Sequence, residues 1–333
     1  MFKIAIIGPG NIAHTYMQAL EKSDIAKVSA VLGTNLKKTK DFADKYGISY
    51  YIDDEEMYNL EKLDGVLICT PTFTHKTIVE KAISKKVNIM CEKPFVLDAL
   101  EAESLFDKAR ENNIKIMVMQ VVRFWPQYCE VKKIIDRKIT GNITNVYLNR
   151  LSAHPDWCEW HKDPSKSGGG LYDLHIHDID WLYFVFGKVK SVYAVGQKSN
   201  SGCWNNVSSV INFENGISAV AEGFMDMTGE WPFSVNIRIN GTEAAVEYLS
   251  KKSYTYEGVN DSDDGLYIYR RNSKVQSVVC EKYNPYKAEV EYFADCVDKG
   301  KTIEIISDND VVYVLNIIKA IEKSLQTGLI QYI

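Results

Sequence analysis

With 333 residues the chain has room for two domains with sizeable cores, and 46% hydrophobic with 25% charged residues is an ordinary globular balance. A formal net charge of -5 and the lack of a dense Lys/Arg block argue against a nucleic-acid partner; Lys37-Lys38 with Lys40, and Lys251-Lys252, read as short solvated faces. No apolar run is long enough for a membrane helix, and the first, Ile4 to Ile7, meets Gly8 too early for a signal peptide, so a cytoplasmic protein with no membrane partner is expected.

Lys3 to Ile7 reads as a buried strand, followed by Gly8-Pro9-Gly10-Asn11-Ile12-Ala13 and a helical pattern to about Glu21. Strand, tight turn and helix in this order are what a dinucleotide fingerprint needs. The first glycine permits the turn and the second lets a phosphate approach the backbone. Ala13 allows close helix packing, and the N–H groups at the helix start face the pyrophosphate.

Lys27 to Leu32 is the next strand. An NAD site carries a carboxylate at its end for the ribose hydroxyls, whereas this chain has Gly33-Thr34-Asn35-Leu36-Lys37-Lys38. Thr34, Asn35 and Lys38 suit a 2′-phosphate, so the reading leans slightly to NADP over NAD. The plainer alternative makes Asn35 a helix cap and the lysines solvated.

Helices and strands keep alternating: helix Lys37 to Tyr46, strand Ile48 to Tyr51, a helical turn from Asp53, and strand Gly65 to Cys69. Thr70 and Pro71 then stand at a carboxyl edge where ligands of parallel sheets gather, with His75 either there or at a helix start. Strand Val87 to Cys91 ends in Glu92-Lys93-Pro94. A lysine at that edge would hydrogen-bond a substrate oxygen and stabilise charge on it. Helix Asp98 to Asn112 and strand Ile114 to Gln120 complete this region.

Val121-Val122-Arg123-Phe124-Trp125-Pro126 marks the crossing into a new domain, with Arg123 either a ligand anchor or a tie between the two domains. Gln127 to Asp136 continues as helix, Ile143 to Ser152 as a half-buried strand, and His154 to Gly170 as a long loop that carries Trp157, Trp160 and His161. Gly168-Gly169-Gly170 leads into Leu171-Tyr172-Asp173-Leu174-His175-Ile176-His177-Asp178-Ile179-Asp180. On a helix, Asp173, His177 and Asp180 share one face and His175 points elsewhere, while Leu174, Asp178 and Trp181 hold the helix to the body. A carboxylate one turn from an imidazole suits acid/base work, and equally a surface ion pair.

From Val189 the pattern becomes short strands to Cys280, with hairpin signals at Asn215-Gly216 and Asn240-Gly241. Helices Tyr286 to Asp298 and Ser307 to Gln326 close the chain, with Ser307 or Asp308 as the cap of the second. The seven cysteines, with no CxxC pair, read as reduced thiols. The fold class is α/β, a doubly wound parallel sheet followed by an α/β domain with a large, mostly antiparallel open sheet. The expected domains are 1–121 and 122–333.

The glycine turn, Glu92-Lys93-Pro94, Arg123-Phe124 and the Gly168 to His177 stretch together resemble the glucose-fructose oxidoreductase, inositol dehydrogenase and rhizopine-catabolism family of NAD(P)-dependent oxidoreductases. The resemblance spans the whole chain. It implies a sugar or polyol substrate, with Lys93 near the nicotinamide, Glu92 on the cofactor side, and Asp173 and His177 as the aspartate and acid/base histidine. Arg123 and Trp160 would be further substrate contacts. It also implies a homodimer or homotetramer through the C-terminal sheet. His175 stands where the family commonly has glycine. An NAD-dependent glycoside-cleaving or lyase enzyme, a non-catalytic dinucleotide-binding regulator, and a metal site at Asp173, His177 and Asp180 stay open as alternatives.

Overall fold

In the computed structural model, which describes residues 1–153, 159–251 and 264–333, the chain forms two units, 1–124 with 283–312 and 125–282 with 313–333. The first begins β1 (Phe2–Ile7), α1 (Asn11–Leu20), β2 (Ala26–Leu32), α2 (Leu36–Tyr46), β3 (Ser49–Tyr51) and α3 (Asp54–Leu60). It continues β4 (Gly65–Ile68), α4 (His75–Ser84), β5 (Asn88–Glu92), α5 (Ala99–Glu111) and β6 (Ile116–Met119). The strands form one parallel sheet in the order β3-β2-β1-β4-β5-β6. Helices cover such a sheet on both faces, which is why Ile4-Ala5-Ile6 and Val66-Leu67-Ile68 are unbroken apolar runs with 0% exposure. Strand order reverses between β1 and β4, and that reversal opens a crevice at their carboxyl ends.

Local chemistry sets the helix ends in this unit. The side chains of Asn35, Asp53 and Asp98 accept hydrogen bonds from backbone N–H groups at the starts of α2, α3 and α5, and Gly47 closes α2 in the left-handed conformation. The helix Pro285–Asp298 returns to this unit, where Phe293 meets Phe2 edge-on at 6.0 Å.

The second unit contains α6 (Pro126–Asp136), β7 (Ile143–Ala153) and α7 (Pro164–Ser167), then a π-helical turn, Leu171–His175, that runs into α8 (Ile176–Phe186). Strands β8 (Val189–Lys198), β9 (Trp204–Phe213), β10 (Ser218–Met227) and β11 (Ser234–Gly241) follow. Next come β12 (Ala244–Lys251), β13 (Gly265–Arg270) and β14 (Gln276–Ser277). Beyond the returning helix, now α9, lie α10 (Asp308–Thr327) and β15 (Gln331–Tyr332). The sheet order is β14-β13-β12-β11-β7-β10-β9-β8-β15, with β7 and β10 parallel and the other pairs antiparallel.

Burial alternates along these strands. Leu148, Arg150, Val207, Ser209, Ala221 and Gly223 lie on the covered face, whereas Tyr193, Val195 and Val210 are exposed on the other. The Asn215-Gly216 hairpin forms as expected between β9 and β10, with Gly216 at φ +87. The Asn240-Gly241 signal also marks a hairpin, from β11 to β12 with Asn240 opposite Ala245, and Gly241 itself is still in the strand. It ends β11, where a Cβ would lie 2.1 Å from the Thr140 carbonyl oxygen, so glycine serves close backbone approach there. The expected strand from Val275 to Cys280 shrinks to Gln276–Ser277. Ser307 caps α10, its Oγ accepting from Asp310 N. No helix among the described residues is long and apolar enough to cross a membrane.

Candidate active site

The glycine turn sits at the β1/β4 reversal. Gly8 has φ +101, and a Cβ there would lie 2.8 Å from Thr70 Cγ2 and 2.9 Å from the Cys69 carbonyl oxygen. Gly10 precedes α1 with no side chain to cap the helix, Asn11 and Ile12 open its first turn, and Ala13 is fully buried. Unpaired N–H groups in the first turn and a turn stripped of side chains fit a pyrophosphate.

Beside this turn lies a pocket of ≈ 370 Å³ lined by Pro9, His14, Asn35, Lys37, Lys38, Asp41, Phe42 and Lys45. Asn35 Oδ1 accepts from Lys38 N at 2.9 Å, so the capping role exists whatever else Asn35 does. Thr34 and Lys38 are exposed. His14 and Lys45 escaped the sequence reading, although Lys38, Phe42 and Lys45 lie one turn apart on α2 and mark one helix face. The His14 ring lies 4.6 Å from Phe42, and its Nδ1 is 2.7 Å from Tyr46 Oη. Burial, then the charges of Lys45 and Lys38, lower its pKa.

At the end of β5, Glu92 Oε2 accepts from Lys93 N at 3.2 Å, and the Lys93–Pro94 peptide is cis. Thr70 and Pro71 at the end of β4 are half-buried. His75 is 1% exposed, its Nε2 2.8 Å from the Thr70 carbonyl and its Nδ1 3.1 Å from those of Pro94 and Phe95. It ties together the backbone of the two edge segments from beneath. Burial lowers its pKa, and the carbonyls facing both ring nitrogens oppose that shift. Arg123 is 3% exposed, and its guanidinium donates to the Ile305 carbonyl and to Asp310 Oδ2 at 2.8 Å. These contacts tie chain segments within the first unit, which is neither the ligand anchor nor the tie between domains that was expected.

In the second unit the three glycines hold a tight corner. Gly168 and Gly169 have φ +72 and +68, and a Cβ on Gly170 would lie 2.9 Å from Asn205 Cα. Asn205 Oδ1 accepts from Gly170 N, while its amide donates to both oxygens of Asp226. The π-helical turn follows and runs into α8, and Asp173, His177 and Asp180 differ in burial where regular spacing predicts one shared face. Asp173 and His177 are half-buried, but Asp180 is 1% exposed. Asp173 Oδ2 lies 3.9 Å from His161 Nδ1, and Trp160 packs on the His161 ring with centroids 4.0 Å apart. His161 is thus brought to the aspartate from a segment with no periodic signal. His154, Trp157 and Cys158 lie outside the described residues.

Behind this half-buried surface is a fully buried polar layer. Asp178 accepts two hydrogen bonds from Arg150, at 2.7 and 3.1 Å, and Arg150 also donates to Tyr128 Oη. Burial pushes the Asp178 carboxyl up against the pull of Arg150, but the two-point geometry is that of an ionised pair. His175 is 0% exposed, with Nε2 2.9 Å from Ser209 Oγ and no hydrogen-bond partner for Nδ1 among the described residues. It lies against Gly223, where a Cβ would sit 2.7 Å from Nδ1. Burial, then Arg150, lowers its pKa to about 3, so it is a neutral core residue. Groups of three or more His, Cys, Asp or Glu arranged to hold a metal are absent among the described residues.

Residues 2–120 match the model of the oxidoreductase family with an NAD-binding Rossmann fold, and residues 128–247 match the GFO/IDH/MocA C-terminal domain. The chain belongs to the GFO/IDH/MocA family. The chain is an NAD(P)-dependent dehydrogenase or reductase. Oxidoreductase P35 of Formosa agariphila is 27% identical over 295 residues, 83% of this chain and 88% of that protein. Inositol 2-dehydrogenase of Rhizobium meliloti is 25% identical over 308 residues, 90% of each chain. The crystal structure of a putative NADPH-dependent oxidoreductase from Desulfitobacterium hafniense superposes with a TM-score of 0.91 at 22% identity, covering 99% of this chain and 97% of that one. At that identity the likeness shows the fold, including the parallel sheet and the mostly antiparallel open sheet.

Proposed function

We propose that this enzyme reversibly transfers a hydride between a secondary alcohol of a sugar, inositol or related polyol and the nicotinamide of NADP, with NAD as the weaker cofactor. The observation that carries the reading is the place of Lys93, at the carboxyl edge of β5 with its backbone N–H donating to Glu92, in a sheet whose glycine turn fits a dinucleotide. The likeness to an inositol 2-dehydrogenase supports the substrate class.

Gly8, Gly10, Asn11, Ile12 and Ala13 would hold the pyrophosphate, with Thr70, Pro71 and Glu92 along the crevice. Thr34, Asn35 and Lys38 would meet the 2′-phosphate, joined by Lys45. The preference for NADP rests on the lysines of this pocket and on the absence of a carboxylate at the end of β2. Bound nicotinamide would accept or return the hydride. His177 takes the hydroxyl proton, and the Lys93 ammonium hydrogen-bonds the same oxygen and stabilises the charge developing on it. Asp173 orients His177 or binds a neighbouring hydroxyl, with Trp160 as a wall for the sugar. The exposed outer face of the open sheet, with Tyr193, Val195 and Val210, is the surface for a homodimer or homotetramer.

Polyol panels assayed by absorbance of the reduced cofactor test this reading. Lys93→Met and His177→Ala should each cut kcat by about 100-fold or more while the cofactor Kd stays within about threefold. Full turnover by His177→Ala across the pH range would sink the histidine assignment. Sugar cleavage without net cofactor reduction would point to the glycoside-cleaving alternative.

A further inference from the structure

At the carboxyl end of β5 the first unit gathers two carboxyl groups around one phenol. Tyr16 Oη, from α1, lies 2.8 Å from Glu92 Oε1 and 2.9 Å from Glu289 Oε1, the latter on α9. The Tyr16 ring is fully buried and set by an edge contact with Tyr286 at 5.3 Å. A phenol has one proton and donates along one of these two lines only. Oxygens held at hydrogen-bond distance along the other line require a second proton, which one of the carboxyl groups must supply.

The surroundings decide which carboxyl carries it. Glu289 is 0% exposed, and its Oε2 has no hydrogen-bond partner among the described residues. Glu92 is half-buried, and its Oε2 already accepts from Lys93 N. A neutral carboxyl tolerates a dry, unpartnered oxygen far better than a carboxylate does. Burial, reinforced by the charge of Glu92, also holds the Glu289 carboxyl well above the usual range. The other titratable groups at this cluster, the Tyr16 phenol and the Cys69 and Cys91 thiols, are pushed up first by burial and stay neutral.

We propose that Glu289 is a protonated positioning residue that, through Tyr16, fixes the Glu92 carboxylate against the backbone N–H of Lys93. The proton order is Glu289 carboxyl to Tyr16 oxygen, Tyr16 hydroxyl to Glu92 Oε1, and Lys93 N–H to Glu92 Oε2. This chain of hydrogen bonds itself neither takes up nor releases a proton. The chain reaches from the buried side of α9 to the residue read above as the donor to the substrate oxygen, and its catalytic consequence rests on that reading.

The test uses the full-length enzyme. The infrared difference between wild type and Glu289→Gln at pH 8 should show the C=O stretch of a protonated carboxyl that disappears in the variant. Glutamine keeps a donor towards Tyr16, so kcat should stay within about threefold and the pH profile unchanged, whereas Tyr16→Phe and Glu289→Ala should lower kcat about tenfold to a hundredfold at nearly constant cofactor Kd. Absence of the carboxyl band would overturn the proposal. So would a Glu289→Gln enzyme that folds but is as slow as Tyr16→Phe. If Glu289→Ala does not fold, the band and the glutamine variant still decide. Undiminished turnover by Lys93→Met together with the band would instead overturn the role of Lys93 and leave the proton on Glu289 in place.

Discussion

His175→Gln gives a quantitative test of the buried layer beneath α8. The wild-type imidazole is fully buried against Gly223 and Ser209, and burial, then Arg150, holds its pKa at about 3, compared with 6.5 in an unfolded chain. Because the folded-state value is depressed, the unfolded chain binds the extra proton first as pH falls. The stability tied to the neutral ring is therefore complete above pH 6.5 and drains away between pH 6.5 and 3. Protonation of the unfolded histidine lowers unfolding free energy by about 0.2 kcal/mol at pH 7 and about 2 kcal/mol at pH 5. Glutamine removes the titration and keeps an amide donor for Ser209. Whatever its packing cost at pH 7, the deficit relative to wild type should shrink by about 2 kcal/mol on going to pH 5. Urea unfolding of both proteins at the two pH values gives this double difference, in which the other titrating groups cancel. A difference that stays constant across that range would show that His175 titrates normally, and the account of a neutral buried ring would be wrong.

Two further perturbations address the cofactor pocket and the ion pair. Lys38→Met or Lys45→Met should weaken NADP binding about tenfold, one charge-assisted contact each, and leave NAD within about twofold. Calorimetric titration of each cofactor at low and high salt checks it, and equal losses for both cofactors would remove the lysines from 2′-phosphate recognition. Asp178→Asn leaves the Arg150 guanidinium buried without its counter-charge and should cost about 3–5 kcal/mol in urea unfolding, because the uncompensated ion dominates the loss. A cost below about 1 kcal/mol would mean that water reaches Arg150.

The elements were legible wherever the pattern that specifies them is local. Buried parallel strands show as continuous apolar runs, the open sheet as alternation, and the helix starts at Asn35, Asp53 and Asp98 as side chains that accept from the next turn. Gly8 and Lys93 were readable for the same reason, since each owes its position to a strand end a residue or two away. What escaped depends on other parts of the chain. The partners Tyr16 and Glu289 are 273 positions apart, and periodicity finds the helix of Glu289 without saying which unit it closes. The approach of His161 to Asp173 comes from a stretch with no repeat, and nothing local in β7 pairs Arg150 with Asp178 on α8.

His175 shows how a departure from a family pattern can mislead when only the residue itself is considered. An added imidazole between Asp173 and His177 invites a catalytic role, because both neighbours are candidates for chemistry. As helical spacing already implies, the side chain points the other way, onto the covered face of the sheet, where glycine at 223 and serine at 209 provide its room and its hydrogen bond. A side chain larger than glycine's at position 223 would occupy the space of the ring itself. The fit of the His175 ring is visible only when positions 175 and 223 are considered together.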